Sequence, residues 1–189
     1  YSVSEERFET EKEMQDGEFG QIIKLKEKNY FFRMSSYQNK LIKHINDNPN
    51  FIMPLSRKNE ILGFLSKPLN DLCISRPKNR LNWGIEFPFD NEYVTYVWFD
   101  ALLNYITAIG WNDNESKFND YWPADYHLVG KDIITTHAVY WPTMLMAAGL
   151  PLPKTILAHG WWLFDDSKMS KTIGNTVNPL ELIDLYGED

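Results

Sequence analysis

The sequence predicts an α/β protein with a doubly wound parallel sheet. Three short apolar segments in its second half alternate with two longer amphipathic ones, and they lie at Tyr93–Phe99, Tyr126–Val129 and Thr155–Ala158. Each is rich in β-branched or aromatic residues, which is typical of a buried parallel strand. The order strand–helix–strand–helix–strand is typical of a doubly wound sheet.

Composition narrows the class of protein. The chain has 189 residues, of which 43% are hydrophobic and 15% aromatic, as in a packed domain. Its formal net charge of -7 argues against tight binding of nucleic acid by this chain alone. The single cysteine, Cys73, excludes an internal disulfide and fits a reducing compartment. No apolar run has the length of a membrane span, and no signal peptide opens the chain, which begins at Tyr1 and is expected to be partial.

The first half predicts shorter elements. Residues 1 to about 28 are charged and rich in turn-forming residues, so we expect irregular structure there. Asn29–Met34 is expected to be extended. Ser35 or Ser36 is expected to cap a helix that ends near Asn46, and Ser56 a second helix that ends at Lys67-Pro68. Cys73–Ser75 is a short strand candidate.

Two helices are predicted between the three strands. They cover residues 100–109, ending at Gly110, and 131–148, ending at Gly149 and containing Pro142, which removes a hydrogen bond and favours a kink. Ligands of doubly wound sheets bind beyond the carboxyl ends of the strands. Those ends are predicted at Trp98–Asp100, Gly130–Asp132 and His159–Trp162.

Helical spacing predicts an aromatic slot between these two helices. The residues that share a face are Trp98, Ala101, Leu102 and Tyr105 on the first helix, and Ile133, His137, Trp141 and Leu145 on the second. Both faces could equally be parts of a hydrophobic core. His137 favours a ligand site, because an imidazole within an apolar stripe needs a hydrogen-bonding partner.

The strand ends carry groups suited to a nucleotide. Gly130 allows close backbone approach, and the Asp132 carboxylate can either cap a helix or accept a hydrogen bond from a ribose hydroxyl. The four histidines lack the spacing of a metal site, so no protein-bound transition metal is predicted.

A lysine loop follows the third strand. Lys168 and Lys171 lie in the segment KMSKT, and Gly174 and Asn175 mark a turn after it. Two ammonium groups on long stems suit a polyphosphate, although a solvated surface loop has the same composition.

Together these segments closely resemble the methionyl-tRNA synthetases, which are class I aminoacyl-tRNA synthetases, and the bacterial and organellar type most of all. The resemblance lies in YVWFDALLNYITAIGW, HLVGKDIITTHAVYWPTML, LAHGWW and KMSKT, with LCISRP at Leu72–Pro77 and WGI at Trp83–Ile85. The opening YSVSEERF and the segment NYFFRMSSYQ resemble the connective peptide of that family.

The resemblance implies the second half of a class I Rossmann-like sheet, preceded by a small α+β connective-peptide segment. It implies connective peptide and linking segments at 1–90, the catalytic half with the lysine loop at 91–176, and the start of a connection to a helical anticodon-binding domain at 177–189. It also implies a cytoplasmic location, with the mitochondrial matrix as the alternative.

The activity implied is ATP-dependent ligation of methionine to tRNA(Met) through methionyl-adenylate, with Mg²⁺ bound to the ATP. Lys168 and Lys171 would be catalytic and would bind the polyphosphate. The ATP site would further comprise Gly130, Asp132, His159, Gly160, Trp161 and Trp162. The methionine pocket would comprise Trp98, Ala101, Leu102, Tyr105, Ile133, His137 and Trp141.

One family signature is absent from the sequence. His-Ile-Gly-His does not occur in the 189 residues, so we expect the isolated chain to be inactive. Two alternatives remain: a non-catalytic fragment or paralogue that binds methionine or a partner, and another class I synthetase. No large editing insertion or metal-binding cysteine set supports the latter.

Overall fold

The computed structural model describes residues 27–164, 166–169 and 174–188, and only the backbone of Lys168. The expectation of irregular structure over residues 1–26 therefore lies outside the described residues, as do the expectations for Lys171 and Thr172.

The described part of the chain contains ten short strands, which form four small sheets. They are β1 (Phe31–Phe32), β2 (Ile52–Met53), β3 (Leu72–Cys73), β4 (Ser75–Pro77), β5 (Glu86–Phe87), β6 (Asp90–Thr95), β7 (Tyr126–Gly130), β8 (Thr155–His159), β9 (Leu163–Phe164) and β10 (Ser167–Lys168).

Seven α-helices accompany them in the same ranges. They are α1 (Gln38–Asp47), α2 (Leu55–Leu65), α3 (Val97–Leu102), α4 (Asn104–Thr107), α5 (Glu115–Tyr121), α6 (Trp141–Ala148) and α7 (Pro179–Tyr186). Short 3₁₀ turns lie at Met34–Tyr37 and Lys131–Ile133, and a π-helical segment at Thr136–Tyr140. None of the described helices has the length and apolar character to cross a membrane.

The parallel sheet has the order β2-β8-β7. Strand β8 pairs in parallel with β7 through Gly130 and His159 at their carboxyl ends, and with β2 through Ile52 and Ile156. The predicted strands at 126–129 and 155–158 are thus confirmed, as is the α/β class. Strand β2 escaped prediction because two residues are too few for a periodic pattern.

The prediction of a buried parallel strand at Tyr93–Phe99 is wrong. Strand β6 ends at Thr95 and pairs antiparallel with β4 and β5, and α3 begins at Val97. A continuous apolar run does not distinguish a strand from a helix, and here it spans the junction of both. The predicted ligand-binding strand end at Trp98–Asp100 therefore lies inside a helix.

Helix starts and continuity also differ from the prediction. The Ser35 hydroxyl donates to Asp71 instead of capping α1, and α2 begins after Pro54, so Ser56 lies inside it. The predicted helix over residues 100–109 is divided between α3 and α4. A serine predicts a cap only where no other partner competes for its hydroxyl.

The long predicted helix over residues 131–148 is divided into a 3₁₀ turn, the π segment and α6. The Trp141 N–H donates to the carbonyl of Thr136, five residues earlier. Pro142 has no N–H and its ring would clash with the carbonyl four residues before it, so the turn ahead of the proline widens. The helix ends at Gly149, which has φ 70° in the left-handed region.

The interior consists of two apolar clusters. The first core cluster lies between the parallel sheet and helices α1 and α2; its members include Leu41, Ile45, Ile52, Ile61, Leu65, Val129 and Ile156. The second core cluster lies between α4 and α6 and contains Leu102, Ile106, Trp122, Trp141, Met144 and Leu145. The candidate site lies between these clusters and the carboxyl edge of the sheet.

Candidate active site

The two predicted strand ends lie side by side at the edge of the parallel sheet. Gly130, the last residue of β7, pairs with His159, the last residue of β8. The segments after them, 131–133 and 160–162, therefore leave the sheet at the same edge. Backbone amides and side chains from both are available to one ligand there.

Gly130 provides room for the Asp132 carboxylate. A Cβ placed on Gly130 would lie 2.5 Å from Asp132 Oδ1, although the backbone at Gly130 is extended with φ -68°. Glycine thus leaves room for the observed position of the Asp132 carboxylate, and no left-handed backbone requires it. Asp132 itself is exposed, so its carboxylate is available to accept hydrogen bonds from a ligand.

Aromatic rings border the other strand end. His159 Nδ1 lies 2.7 Å from the carbonyl oxygen of Gly160, and because that oxygen only accepts, Nδ1 donates. The rings of His159 and Trp162 are 6.0 Å apart, and Lys131 Nζ lies 5.4 Å from the centre of the Trp161 ring. Trp162 is 69% exposed, so a flat surface for a base faces solvent at this edge.

Tyr105 and His137 form the polar centre of the predicted slot. Tyr105 Oη lies 2.8 Å from His137 Nε2, and His137 Nδ1 lies 2.9 Å from the carbonyl oxygen of Ile133. The carbonyl accepts, so Nδ1 carries the proton, and in a neutral ring Nε2 accepts from the tyrosine hydroxyl. Burial lowers the pKa of His137 and raises that of Tyr105, so both groups are neutral near pH 7. The partner that His137 needs is present.

Trp141 joins this pair, whereas other predicted pocket residues lie apart. Its ring centre is 6.0 Å from that of Tyr105, and it is 1% exposed. Leu102 is buried in the second core cluster. By contrast Trp98 is 44% exposed on α3, and Ala101 beside it is half-buried.

The prediction that Ile133, His137, Trp141 and Leu145 share one helical face is wrong. Ile133 packs against the first core cluster, whereas Trp141 and Leu145 belong to the second. The π segment between them adds a residue to one turn and rotates the rest of the helix. His137 lies at the point of rotation, which is how its ring reaches Tyr105 from a different helix.

His127 is the residue that sequence reasoning missed. It lies on β7, is 5% exposed, and its Nε2 is 3.1 Å from Trp141 Nε1. The alternation is visible only in the folded chain: Tyr126 and Leu128 are exposed, whereas His127 and Val129 are buried on the other face of the strand. Interpreting the whole segment as buried on both faces concealed it.

The lysine loop starts from an ordered hairpin. Strands β9 and β10 pair antiparallel through Leu163 and Lys168, and the Met169 N–H donates to the carbonyl of Trp162 at 3.0 Å. Asn175 Nδ2 donates to Ser167 Oγ at 3.1 Å after the loop. The base of the loop is therefore fixed beside Trp162, at the sheet edge that carries Asp132. Within the described residues no group of three or more His, Cys, Asp or Glu side chains is arranged to hold a metal ion.

Comparison with known proteins shows the family of this chain. Residues 17–189 match the family described as "tRNA synthetases class I (M)". The chain belongs to this family. The resemblance in sequence motifs is thereby confirmed.

Individual relatives belong to the same family. The chain is 50% identical over its whole length to a methionine–tRNA ligase of Rickettsia conorii and 53% identical to one of Clostridium acetobutylicum. It spans 38% and 30% of the length of these two relatives. In structure it is similar to "Mycobacterium tuberculosis methionyl-tRNA synthetase in complex with methionyl-adenylate", with a TM-score of 0.75 and 49% identity over 85% of this chain and 31% of that one.

Proposed function

We propose that this chain forms the amino-acid pocket and part of the ATP site of an enzyme that ligates methionine to tRNA(Met). In the first step a methionine carboxylate oxygen attacks the α-phosphorus of ATP, and pyrophosphate leaves. In the second, a ribose hydroxyl of the terminal adenosine of the tRNA attacks the acyl carbon, and AMP leaves. Such reactions depend mainly on positioning and on stabilisation of charge.

One observation supports the proposal most directly: a single short segment carries both the residues at the sheet edge and the histidine of the aromatic slot. Gly130 and Asp132 lie at the sheet edge, and five residues after Asp132 the His137 ring bonds Tyr105 and the Ile133 carbonyl. An aminoacyl-adenylate joins an amino acid to a nucleotide through one phosphate, so its two binding sites must adjoin. The similar M. tuberculosis structure is a complex with methionyl-adenylate, which is a ligand of this kind.

The methionine side is supported by the aromatic slot. Tyr105, His137 and Trp141 lie together among apolar side chains, and a thioether packs well against aromatic rings. The Tyr105 hydroxyl donates its single proton to His137, so these rings would hold a thioether by packing and not by a hydrogen bond to the sulfur. On the resemblance, Trp98, Ala101, Leu102 and Ile133 complete the pocket.

The ATP side is supported by the sheet edge. The Asp132 carboxylate would accept from ribose, and His159, Gly160, Trp161 and Trp162 would border the adenine beside Gly130. Lys168 and Lys171 would stabilise the charge of the departing pyrophosphate. Mg²⁺ would enter bound to the polyphosphate of the ATP substrate.

The methionine half is tested by Tyr105→Phe in the full-length polypeptide that carries this chain. Methionine-dependent ATP–pyrophosphate exchange is measured with methionine and with norleucine, which has CH₂ in place of sulfur. Loss of the Tyr105–His137 hydrogen bond releases two rings of the slot. It should lower the preference for methionine by about threefold to tenfold, because a net hydrogen bond contributes roughly 0.5–1.5 kcal/mol. Tyr126→Phe, on the exposed face of β7, is the matched control and should leave the ratio unchanged. An unaltered ratio in Tyr105→Phe would contradict the assignment.

The polyphosphate half is tested by Lys171→Ala in the same assay. Exchange should fall by about a hundredfold or more, as when one preorganised charge-stabilising donor is removed, while methionine binding persists. Lys154→Ala is the control, since Lys154 Nζ pairs with Asp125 on the surface at 2.6 Å. Exchange unchanged by Lys171→Ala would remove the lysine loop from the site.

A further inference from the structure

His127 occupies a position where an apolar side chain would ordinarily pack. It lies in the middle of the β7–β8 ladder, opposite Ile156, and is 5% exposed. A buried polar group is unfavourable unless it is hydrogen-bonded. Its imidazole therefore needs a specific explanation.

The hydrogen bond to Trp141 fixes the state of the ring. An indole N–H only donates, so His127 Nε2 accepts at 3.1 Å and the proton of the neutral ring resides on Nδ1. Burial, with a smaller contribution from nearby His137, lowers the pKa of His127 to about 4. The ring is neutral at physiological pH and keeps its accepting nitrogen towards Trp141.

The same ring contacts the other aromatic residues of the slot. Its centre lies 4.4 Å from that of Tyr105, 6.0 Å from Trp122 and 6.3 Å from His137. Tyr105 in turn holds His137 through its hydroxyl. His127 thus packs on Tyr105 and accepts from Trp141, which are two of the proposed pocket residues.

We propose that His127 is a positioning residue for the amino-acid pocket. It holds the indole of Trp141 by accepting its N–H, and it supports the ring of Tyr105 from behind, so that both present a fixed surface to the bound side chain. This inference rests on the proposed function, because the pocket it serves is the methionine pocket proposed above.

A cavity adjoins both Tyr105 and His127. It has a volume of about 340 Å³ and is lined by Tyr105, Ile109, Tyr121, Trp122, Ala124, Tyr126, His127 and Leu128. The Tyr105 ring thus borders empty space, and the imidazole of His127 contacts it with ring centres 4.4 Å apart. The hydrogen bond to Trp141 holds that imidazole in place, while the Tyr105 hydroxyl is held separately by His137.

The test compares three substitutions in the full-length polypeptide. His127→Leu removes the acceptor at similar volume, and His127→Gln restores an acceptor oxygen near the place of Nε2. In ATP–pyrophosphate exchange, His127→Leu should raise KM for methionine about tenfold, in line with an indole donor left buried without a partner, and change KM for ATP less than twofold. His127→Gln should recover most of the loss. His44→Leu, a half-buried histidine packed on Phe51, is the matched control and should change neither KM.

Several outcomes would overturn the inference. A folded His127→Leu protein with unchanged KM for methionine would do so, and equal impairment in the Leu and Gln variants would show that shape alone matters. If His127→Leu does not fold, Trp141→Phe and its combination with His127→Gln replace it: the Gln substitution should have less effect once the indole donor is gone, and equal effects would contradict the proposal. Failure of the unaltered enzyme to exchange would instead refute the proposed function, so the two failures are distinguishable.

Discussion

At the residue scale, two neutral imidazoles form the polar part of the aromatic slot. His127 accepts from the indole of Trp141, and His137 accepts from Tyr105 while donating to the backbone of Ile133. Their ring centres are 6.3 Å apart. Protonating both would place two positive charges in a buried region, which is why proximity adds to burial in lowering the pKa of His127.

This arrangement predicts a specific loss of stability in acid. An unfolded histidine takes up its proton near pH 6.5, whereas folded His127 does so only near pH 4. The stability contributed by the neutral ring is therefore fully present above pH 6.5 and is lost as the pH falls from 6.5 towards 4. The total is on the order of 3 kcal/mol, since each pKa unit corresponds to about 1.4 kcal/mol.

The measurement is urea unfolding followed by tryptophan fluorescence, with the wild type and His127→Gln at pH 7.5, 6.5, 5.5 and 4.5. The wild type should lose more unfolding free energy than the variant on acidification below pH 6.5, because the variant lacks this proton uptake. Carboxyl groups titrate alike in both proteins and cancel in the difference. Parallel curves for the two proteins would show that His127 is not held neutral.

At the scale of elements, the segment from β7 to α6 organises the site. It leaves the sheet at Gly130, passes through a 3₁₀ turn and the π segment, and becomes a regular helix only at Trp141. Turns of 3₁₀, π and α geometry contain different numbers of residues, so they point successive side chains in directions that a uniform helix would not. Asp132 thus faces the sheet edge while His137, on the next turns, faces Tyr105.

Gly130→Ala tests the first step of this segment. The added Cβ would lie 2.5 Å from Asp132 Oδ1, so the carboxylate must move, whereas φ -68° suits alanine and the fold should persist. We expect KM for ATP to rise by about threefold to tenfold, as for loss of one hydrogen bond to ribose, with KM for methionine nearly unchanged. Steady-state exchange with each substrate varied separately measures both constants.

Gly63→Ala provides the matched control. Gly63 lies within α2, and the place that an added Cβ would occupy is open. Alanine there should stabilise the helix by roughly 0.5–1 kcal/mol without altering exchange. If Gly130→Ala instead lowered stability and left KM for ATP unchanged, the close contact would be a packing feature and not a nucleotide-binding one.

The same elements show how far the sequence could predict the structure. Strands β7 and β8 were predictable because each is a short apolar segment followed directly by glycine or histidine–glycine. Strand β2 was not predictable, because its two residues are extended only through pairing with β8, about one hundred residues later in the chain. The prediction of one strand over Tyr93–Phe99 was wrong because a strand ends and a helix begins within this single apolar run.

The expectation of one shared helical face was wrong for a related reason. Strict spacing assigned Ile133 to the same face as Trp141 and Leu145, but the π segment before Pro142 rotates it away from them. The residues that do meet, Tyr105, His137 and Trp141, could be predicted because each is an unusual side chain within an apolar stripe. The role of His127 depends on which face of β7 is buried, and only packing decides that.

At the scale of the whole molecule, several large apolar side chains are exposed in the described chain. Trp162 and Leu163 beside the lysine loop are 69% and 59% exposed, and Leu185 and Tyr186 on α7 are 73% and 79% exposed. Helix α7 is nonetheless well formed: Asn178 Oδ1 accepts from the Leu180 N–H at 3.0 Å, and Pro179 occupies its first turn. Exposed apolar side chains that cluster on one element, as on α7, are typical of an interface.

The last prediction concerns the isolated chain. The 189-residue chain on its own should show no methionine-dependent ATP–pyrophosphate exchange, because the sequence lacks the His-Ile-Gly-His signature of the family, and a site with only part of its charge-stabilising groups forfeits most of its rate. The chain is expressed alone and compared, at equal concentration, with the full-length polypeptide. Circular dichroism with a cooperative melting transition serves as the control that the chain is folded. Exchange above the blank by the folded chain would contradict the prediction and would mean that the residues described here suffice to form the adenylate.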